Sequence, residues 1–589
     1  MAETQVWDVL SPEPEVVEAL VDALGVTPLV ATLLANRKLT DVAEAAAFLA
    51  PRLASMPDPF LMKGMEAAVT RIVNAIHAHE SICVWGDYDV DGVTSASQLI
   101  WFFRELGVPV RYFVPDRFTE GYGLNAERLV ELARDGVQLF ITVDCGISNA
   151  REVAVAKEHG ADVIVVDHHK VPPVVPDAVA VLDPHQSDCP YPDKRLAACG
   201  VTWVLLVALR ARLRELGTFA GRKEPDLREW LDLTAIGTVA DMVPLVGLNR
   251  VITHYGLGQV GISARPGVKA LREVSGLGAD RPITAGSVGF QLGPRINAAG
   301  RMAHASAGVE LMTTEDVAVA ALSAAGVDAY NLERRAVQDE IFEEAVAIVG
   351  ELGDRRALVL AKEGWHSGVL GIVASKLVER FNRPTILLAI EEGVAKGSAR
   401  SACGLKLVDH LTRLEAMLVK YGGHDYAAGL TLAAAQLEAF TAAFEAEARG
   451  FITDDRLARR LRVDAEVPLE LVDFALIEDI RRLAPYGQGN PEPVFVARDV
   501  MVYDARLVGE DKRHVKLRLA AGHRGLDAIA FGLADHAPEP GSRVDVAYVP
   551  ETNEWMGEIR LQARVRALRP AAAAVDRPVA PTTVELAFD

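Results

Sequence analysis

The sequence predicts an α/β chain: a doubly wound parallel-sheet domain, a long connecting helix, a second α/β domain and a C-terminal antiparallel β-barrel. Three observations carry this. Short apolar runs at 82–85, 139–143 and 163–166 are each followed by turn residues and a helical stretch, the pattern of buried parallel strands joined by crossover helices. Residues 314–350 form a proline-free pattern of alanine, leucine and charged positions, a helix long enough to bridge two domains. Beyond Arg456 the chain changes to short runs with turn punctuation at 494–496, 500–508, 514–519, 526–531, 544–549 and 558–565, the spacing of a small barrel.

Taken in order, residues 1–75 are expected to form a helical region packed on the core, 76–313 the parallel-sheet domain, 314–350 the connecting helix and 351–452 the second α/β domain. The barrel follows over 456–570 and an Ala/Pro-rich flexible tail over 571–589. Within the first domain, Thr94-Ser95-Ala96-Ser97 opens an amphipathic helix through Leu99, Trp101, Phe102 and Leu106 that stops at Gly107, and another begins at Asn149 and ends at Gly160. In the second, strands at 357–361 and 385–389 flank a helix over 371–381.

A chain of 589 residues with 50% hydrophobic and 24% charged residues implies several globular domains and excludes a disordered protein. The formal net charge of -20 repels phosphates at a distance, so any nucleic-acid binding must be local. No apolar run is long enough to span a membrane and the MAETQVWDVL start lacks a secretion-signal core, so a cytoplasmic protein without a membrane is expected. Cys83, Cys145, Cys189, Cys199 and Cys403 are odd in number and contain no CxxC, and read as reduced core thiols.

The chemistry lies in Asp87, Asp89, Asp144, His168 and Asp241, the first four placed directly after apolar runs and therefore on one carboxyl rim of a parallel sheet, where such sheets hold their sites. Carboxylates gathered there repel one another and lose hydration unless cations hold them, so the ligands predict the ions. In GDYDVDG (86–92) alternate carboxylates project in the same sense from an extended chain, and the flanking glycines allow a tight turn beside the ions. An aspartate-dominated set with one imidazole and no thiolate favours Mn²⁺, with Mg²⁺ second, over Zn²⁺. Two ions roughly 3.5–4 Å apart suit in-line phosphoryl displacement, and phosphoester hydrolysis is the expected reaction. A calcium loop of the EF-hand kind fits poorly, because a strand precedes the run.

The motifs GDYDVDG (86–92), VDCGIS (143–148), VVDHHK (165–170) and GTVADMVPL (237–245) resemble, in order, the four motifs of the DHH phosphoesterase superfamily. GPRINAAGRM (293–302), GWHSGVLGIVASKL (364–377), KGSARS (396–401) and YGGHDYAAGL (421–430) resemble its RecJ branch, the single-strand-specific exonucleases with an appended DHHA1 domain. The likeness runs from about residue 45 to about residue 570. It implies that Asp87, Asp89, Asp144, His168 and Asp241 bind two divalent ions, with Asp144 bridging and with Asp167 and His169 orienting or assisting catalysis. An imidazole ligand usually gives its other N–H to a carboxylate or carbonyl, so Asp91 and Asp167 are expected to support the ligands by hydrogen bonding. One departure is Trp85, where some members carry histidine; a weaker hold on one ion is expected from it.

Arginine-bearing loops supply the expected substrate contacts: Arg117, then Asn297 with Arg301, then Ser398 with Arg400, a guanidinium beside a hydroxyl suiting a phosphate. By resemblance, Arg301, Ser398 and Arg400 form a pocket for the terminal 5′-phosphate that fixes polarity, and Gly422, Gly423 and His424 approach the scissile phosphate with His366 alongside. Tyr122 and Phe118 are candidate stacking surfaces for unpaired bases. Arg456, Arg459, Arg460, Arg462, Lys512, Arg513, Lys516 and Arg518 are candidate backbone contacts of an OB-fold.

The expected activity is that of a single-stranded-DNA-specific 5′→3′ exonuclease releasing 5′-mononucleotides in recombination and repair, a monomer acting on single-stranded DNA alongside a single-strand-binding protein and a helicase. A phosphodiesterase for oligoribonucleotides or cyclic dinucleotides is disfavoured by the additional barrel. A non-catalytic strand-binding scaffold is disfavoured by the complete set of ligand positions.

Overall fold

The computed structural model describes residues 5–117, 120–555 and 557–571; Phe118 and the tail expected over 571–589, apart from its first residue, lie outside the described residues. The chain divides into two compact units. The first contains Pro57–Asp241 and Gly256–Arg459, and the second Val6–Met56, Met242–Tyr255 and the chain from Arg460 onward.

The first unit opens with five parallel strands, β1 (Ser81–Gly86), β2 (Val110–Phe113), β3 (Val137–Val143), β4 (Asp162–Val166) and β5 (Ala180–Leu182), in the order β2-β1-β3-β4-β5. Alternate residues Cys83, Trp85, Phe140, Val163 and Val165 share a core with Leu129, Val153 and Ala156 of the helices Ala126–Arg134 and Ala150–Glu158. Helices α1 (Val90–Leu106) and α2 (Ala198–Glu215) pack on the sheet as well, and α3 (Leu231–Ala240) packs on α1 and α2. In this strand order the chain winds outward from β1 in one direction and from β3 in the other. Their adjacent carboxyl ends therefore form the switch point at which doubly wound sheets bind ligands.

α1 begins at Val90, four residues before the expected Thr94, because the Asp89 carboxylate accepts the Asp91 and Gly92 N–H groups and caps it. The GDYDVDG run is thus a strand end followed at once by a helical turn rather than an extended cradle. Gly92 answers to close packing: a Cβ there would sit 2.5 Å from the Asp87 carbonyl oxygen.

After α4 (Gly293–Met302), the 33-residue α5 (Val317–Val349) leads to the second α/β domain. Its elements are β6 (Leu358–Glu363), α6 (Leu370–Phe381), β7 (Thr385–Glu391), β8 (Val394–Arg400), β9 (Lys420–Gly423) and β10 (Ala427–Ala433), with sheet order β9-β10-β8-β7-β6. Only β6 and β7 are parallel. The sequence signalled these two and not the other three, of which β8 and β9 carry almost no apolar pattern in their KGSAR and KYGG stretches.

The second unit is built on β11 (Phe495–Val508), β12 (His514–Ala521), β13 (Arg524–Ala530), β14 (Arg543–Trp555) and β15 (Glu558–Pro570), closed in the order β11-β12-β13-β15-β14-β11. This is the closed five-stranded arrangement of an OB-fold. The expectation of an all-antiparallel barrel needs one correction, since β13 and β15 run parallel. The runs at 494–496 and 500–508 join into one strand with a register shift between Ala497 and Val500. Residues 1–75 do not form one region packed on the parallel-sheet domain. Leu20, Leu29, Leu33 and Phe48 of the helices Pro14–Leu24, Pro28–Asn36 and Val42–Leu49 share the barrel's core with Phe495, Val502, Leu517 and Tyr548, and only the helix Met65–His77 packs beside α2 and β5.

The arginine run expected to track a strand is engaged internally. Arg456 stacks 4.2 Å from the Phe451 ring centre, Arg459 donates to the carbonyls of Glu379 and Arg380, Arg460 pairs with Asp8, and Arg462 donates to the Asn36 carbonyl at 3.0 Å. Among the described residues no helix is long and apolar enough to cross a membrane. None of the five cysteines forms a disulfide; four are buried and Cys403 is half-buried.

Candidate active site

The sheet's carboxyl edge brings the ligand candidates together. Asp87 follows β1, Asp144 follows β3, His168 follows β4, and Asp241 ends α3. One group, Asp87, Asp89 and Asp144, places its ligand atoms within 4.8 Å of one another, and a second does the same with Asp91, His168 and Asp241. Asp144 links them, since His168 Nε2 lies 3.2 Å from its Oδ1 and 3.6 Å from Asp241 Oδ2. Asp144 sits at φ 63°, a left-handed backbone conformation that aspartate tolerates better than most residues.

Whether these residues suit cations can be tested on the polar atoms they leave over. Asp87 Oδ1, Asp144 Oδ1 and His168 Nε2 are buried and make no hydrogen bond. Such groups are costly unless something pairs with them. Burial first, and then mutual repulsion, pushes the carboxyls of Asp87, Asp144 and Asp241 well above the usual range. Burial also holds the His168 imidazole below its ordinary value. A proton-hungry, oxygen-rich pocket with a neutral imidazole fits divalent cations, whose charge would return the carboxylates to the ionised form.

Asp91, from within the second group, and Asp167 also hold the surrounding backbone. Asp91 is fully buried, takes the Ala198 and Cys199 N–H groups at 2.7 and 2.8 Å, and lies 3.7 Å from His168 Nε2. Asp167 accepts from the backbone N–H groups of Ile147, His168 and His169 and from His169 Nδ1 at 2.7 Å. Burial lowers His169, but the Asp167 hydrogen bond outweighs it and raises the imidazole to about 9. The Asp167 hydrogen bond thus holds the His169 ring beside the centre. The Tyr122 hydroxyl donates to the Asp144 carbonyl at 3.2 Å, and its ring meets His169 and Tyr88 edge-on. Tyr122 is half-exposed and tied to the centre by its hydroxyl.

A cluster of opposite sign stands close by. Arg301 donates to the Gly368 carbonyl at 2.8 Å, while burial and the charges of Arg117, Arg334 and Arg400 hold its guanidinium down to about 10. A Cβ on Gly371 would stand 2.6 Å from Arg400 Nη2 and 3.5 Å from Ser398 Oγ, so these two groups converge on the first turn of α6. Guanidiniums crowded at a helix N-terminus form an anion site. His366 belongs to its frame, its Nδ1 accepting from the Gly368 N–H at 3.2 Å.

Other candidates stand differently. Asn297 uses its side-chain oxygen to accept the Val90 N–H, fastening α4 to the start of α1. Gly422, Gly423 and His424 lie exposed at the end of the edge strand β9, with no described contact to the acidic centre. Trp85 is a core residue, fully buried with its ring 4.4 Å from Phe113. Sequence reading missed Tyr88, which stacks under Arg117 at 5.0 Å, and Gly371. The position of Tyr88 between two ligand aspartates was the available signal.

Comparisons with known proteins agree with this geometry. Family profiles match over residues 81–238 (DHH family, N-terminal domain), 354–450 (DHHA1 domain) and 463–567 (RecJ OB domain). Fold and site define a DHH phosphoesterase equipped with DHHA1 and OB domains. The single-stranded-DNA-specific exonuclease RecJ of Bacillus subtilis is 39% identical over 95% of this chain and 70% of its own length. That of Dickeya dadantii is 38% identical over 88% of this chain and 92% of its own. Crystal structures of RecJ from Thermus thermophilus match as well: the complex with Mn²⁺ has a TM-score of 0.83 at 32% identity, covering 97% of this chain and 81% of that one. The complex with Mg²⁺ has a TM-score of 0.76 at 30% identity, covering 97% and 80%. The chain belongs to the RecJ family.

Proposed function

We propose that this protein is a metal-dependent single-stranded-DNA exonuclease that works 5′→3′, releases 5′-mononucleotides and serves recombination and repair in the cytoplasm. The observation that carries it is the pairing of a buried, cation-demanding carboxylate cluster with a buried arginine pocket at the start of α6. When bound, two divalent ions, Mn²⁺ or Mg²⁺, supply activation of water and neutralisation of charge at the scissile phosphate.

The chain's own residues do the rest. Asp87, Asp89 and Asp144 would hold one ion, and Asp144, His168 and Asp241 the other. Asp91 and Asp167 fix the surrounding backbone through their N–H acceptances, and Asp167 keeps the His169 ring charged and aimed, a donor for a phosphate oxygen. Arg301, Ser398 and Arg400 take the terminal 5′-phosphate, so only one end of a strand seats productively. The domain over residues 456–570, with its closed barrel, provides a third strand-binding domain in addition to those of 76–313 and 351–452. A processing site that grips an end rather than a duplex agrees with a single-strand substrate.

The test is digestion of end-labelled single and double strands with Mn²⁺, Mg²⁺ or chelator. Release from the 5′ end of single strands, dependent on metal and favoured by a 5′-phosphate, is expected. Release from the 3′ end would reject the assignment of Arg301, Ser398 and Arg400.

A further inference from the structure

A cavity of about 380 Å³ lies between the turn Val288–Leu292, α5 and α6, all within the first unit. It is of the size that holds one small ligand. Three cations line it, Arg334, Arg335 and Lys376, against one carboxylate, Asp339, which is already paired with Lys376 at 2.8 Å. In a chain of net charge -20 this local excess of positive charge is notable by sign alone. Phe290, on a turn of π-helix, presents its ring to the mouth at 79% exposure.

A single exposed phenylalanine is ordinary. Arg334 is not. It is only 8% exposed, its two terminal nitrogens are held by Asn331 and Gln338, and its Nε has no partner. Its Nε is itself shut off from solvent, so Arg334 adds positive charge behind the wall, while the exposed Arg335 is the guanidinium within an anion's reach. The location adds the rest. At the other end of α4 from Arg301, Gly293 packs against Ala240 and Val90, the neighbours of Asp241 and Asp89. Pro294, on the cavity wall, and Arg301 are separated by two turns of α4, about 10 Å along the axis.

We propose that this cavity is a nucleotide subsite for the strand beyond the bond that is cut, stacking one base on Phe290 and taking the adjoining phosphate with Arg335. The proposal rests on the exonuclease reading above and adds to it a second grip, two turns of α4 away from Arg301. A longer strand engages both places, whereas a dinucleotide engages only the first.

The measurement compares a 5′-phosphorylated dinucleotide with a 5′-phosphorylated strand of about twelve nucleotides, using Phe290→Ala and Arg335→Ala, two exposed positions that leave the fold intact. For the longer strand each variant raises KM roughly 5- to 10-fold, the lower end of what one base stack contributes, and leaves kcat and the dinucleotide constants as in wild type. Arg335→Ala also flattens the salt dependence of long-strand binding by about one phosphate contact. Equal losses on both lengths, or no loss on either, would overturn the subsite. If the wild-type protein hydrolyses neither strand, the exonuclease reading fails instead. Anisotropy binding of the longer strand to the full chain then decides the subsite separately: weaker binding by Phe290→Ala supports it and unchanged binding rejects it.

Discussion

The acidic centre and the arginine pocket solve the same electrostatic problem in opposite ways. Both crowd like charges out of water, and neither is satisfied by the protein alone. The acidic groups are delivered by the ends of β1, β3 and β4, whose register places Val143 opposite Gly86 and Val166. That framework is rigid and leaves buried oxygens and an imidazole nitrogen for cations. The arginines come from α4, β8 and the segment after β2, and they converge on a helix terminus beside a glycine. In the proposed reading their missing partner is the substrate's own phosphate. The first cluster is therefore completed before the substrate arrives and the second only by it.

The largest expected effect separates chemistry from grip. Asp144→Ala removes the carboxylate proposed to serve both ions and forfeits several kcal/mol of transition-state stabilisation, on the order of 10³-fold in kcat. Anisotropy binding of a 5′-phosphorylated strand should stay close to wild type. A variant that turns over at a near-normal rate would break the assignment of Asp144 as the common ligand.

Next comes the pocket. Arg400→Ala deletes charge-assisted hydrogen bonds worth about 1.5–3 kcal/mol, which corresponds to roughly 10- to 100-fold in KM for 5′-phosphorylated strands. Strands ending in a 5′-hydroxyl should be affected far less, and an equal loss on both kinds of end would show that Arg400 serves the backbone instead.

The smallest effect sharpens the contrast in stability. In the metal-free protein Asp87, Asp144 and Asp241 titrate well above their unfolded range, so folding takes up protons. Their contribution to stability is therefore greatest at low pH and is lost as pH rises through those raised values. Bound cations reverse the sign by favouring the ionised forms. Thermal unfolding with Mn²⁺ and with chelator should give Tm values that converge near pH 5 and separate toward pH 8; a gap independent of pH would exclude these carboxylates as the ligands.

The acidic centre was legible in the sequence because strand-end aspartates declare both their position and their face. What stayed hidden depends on partners distant in the chain. Nothing in the apolar pattern says that β1 lies beside β3, yet that adjacency creates the site. The helix Pro14–Leu24 is amphipathic and Pro28–Asn36 is buried nearly all round, but neither pattern names the surface that covers it, here the barrel's core. The parallel pairing of β13 with β15 is long-range in the same sense. The arginines of 456–462 read as strand contacts because their carbonyl and aromatic partners elsewhere in the fold are invisible from the sequence.

The left-handed backbone at Asp144 restricts what evolution or an engineer can place there. Glutamate keeps the charge but resists that torsion and carries its carboxylate one methylene too far, whereas asparagine accepts the torsion and drops the charge. Asn is thus the replacement suited to freezing a bound oligonucleotide for crystallography, an inert look-alike whose main chain is undisturbed.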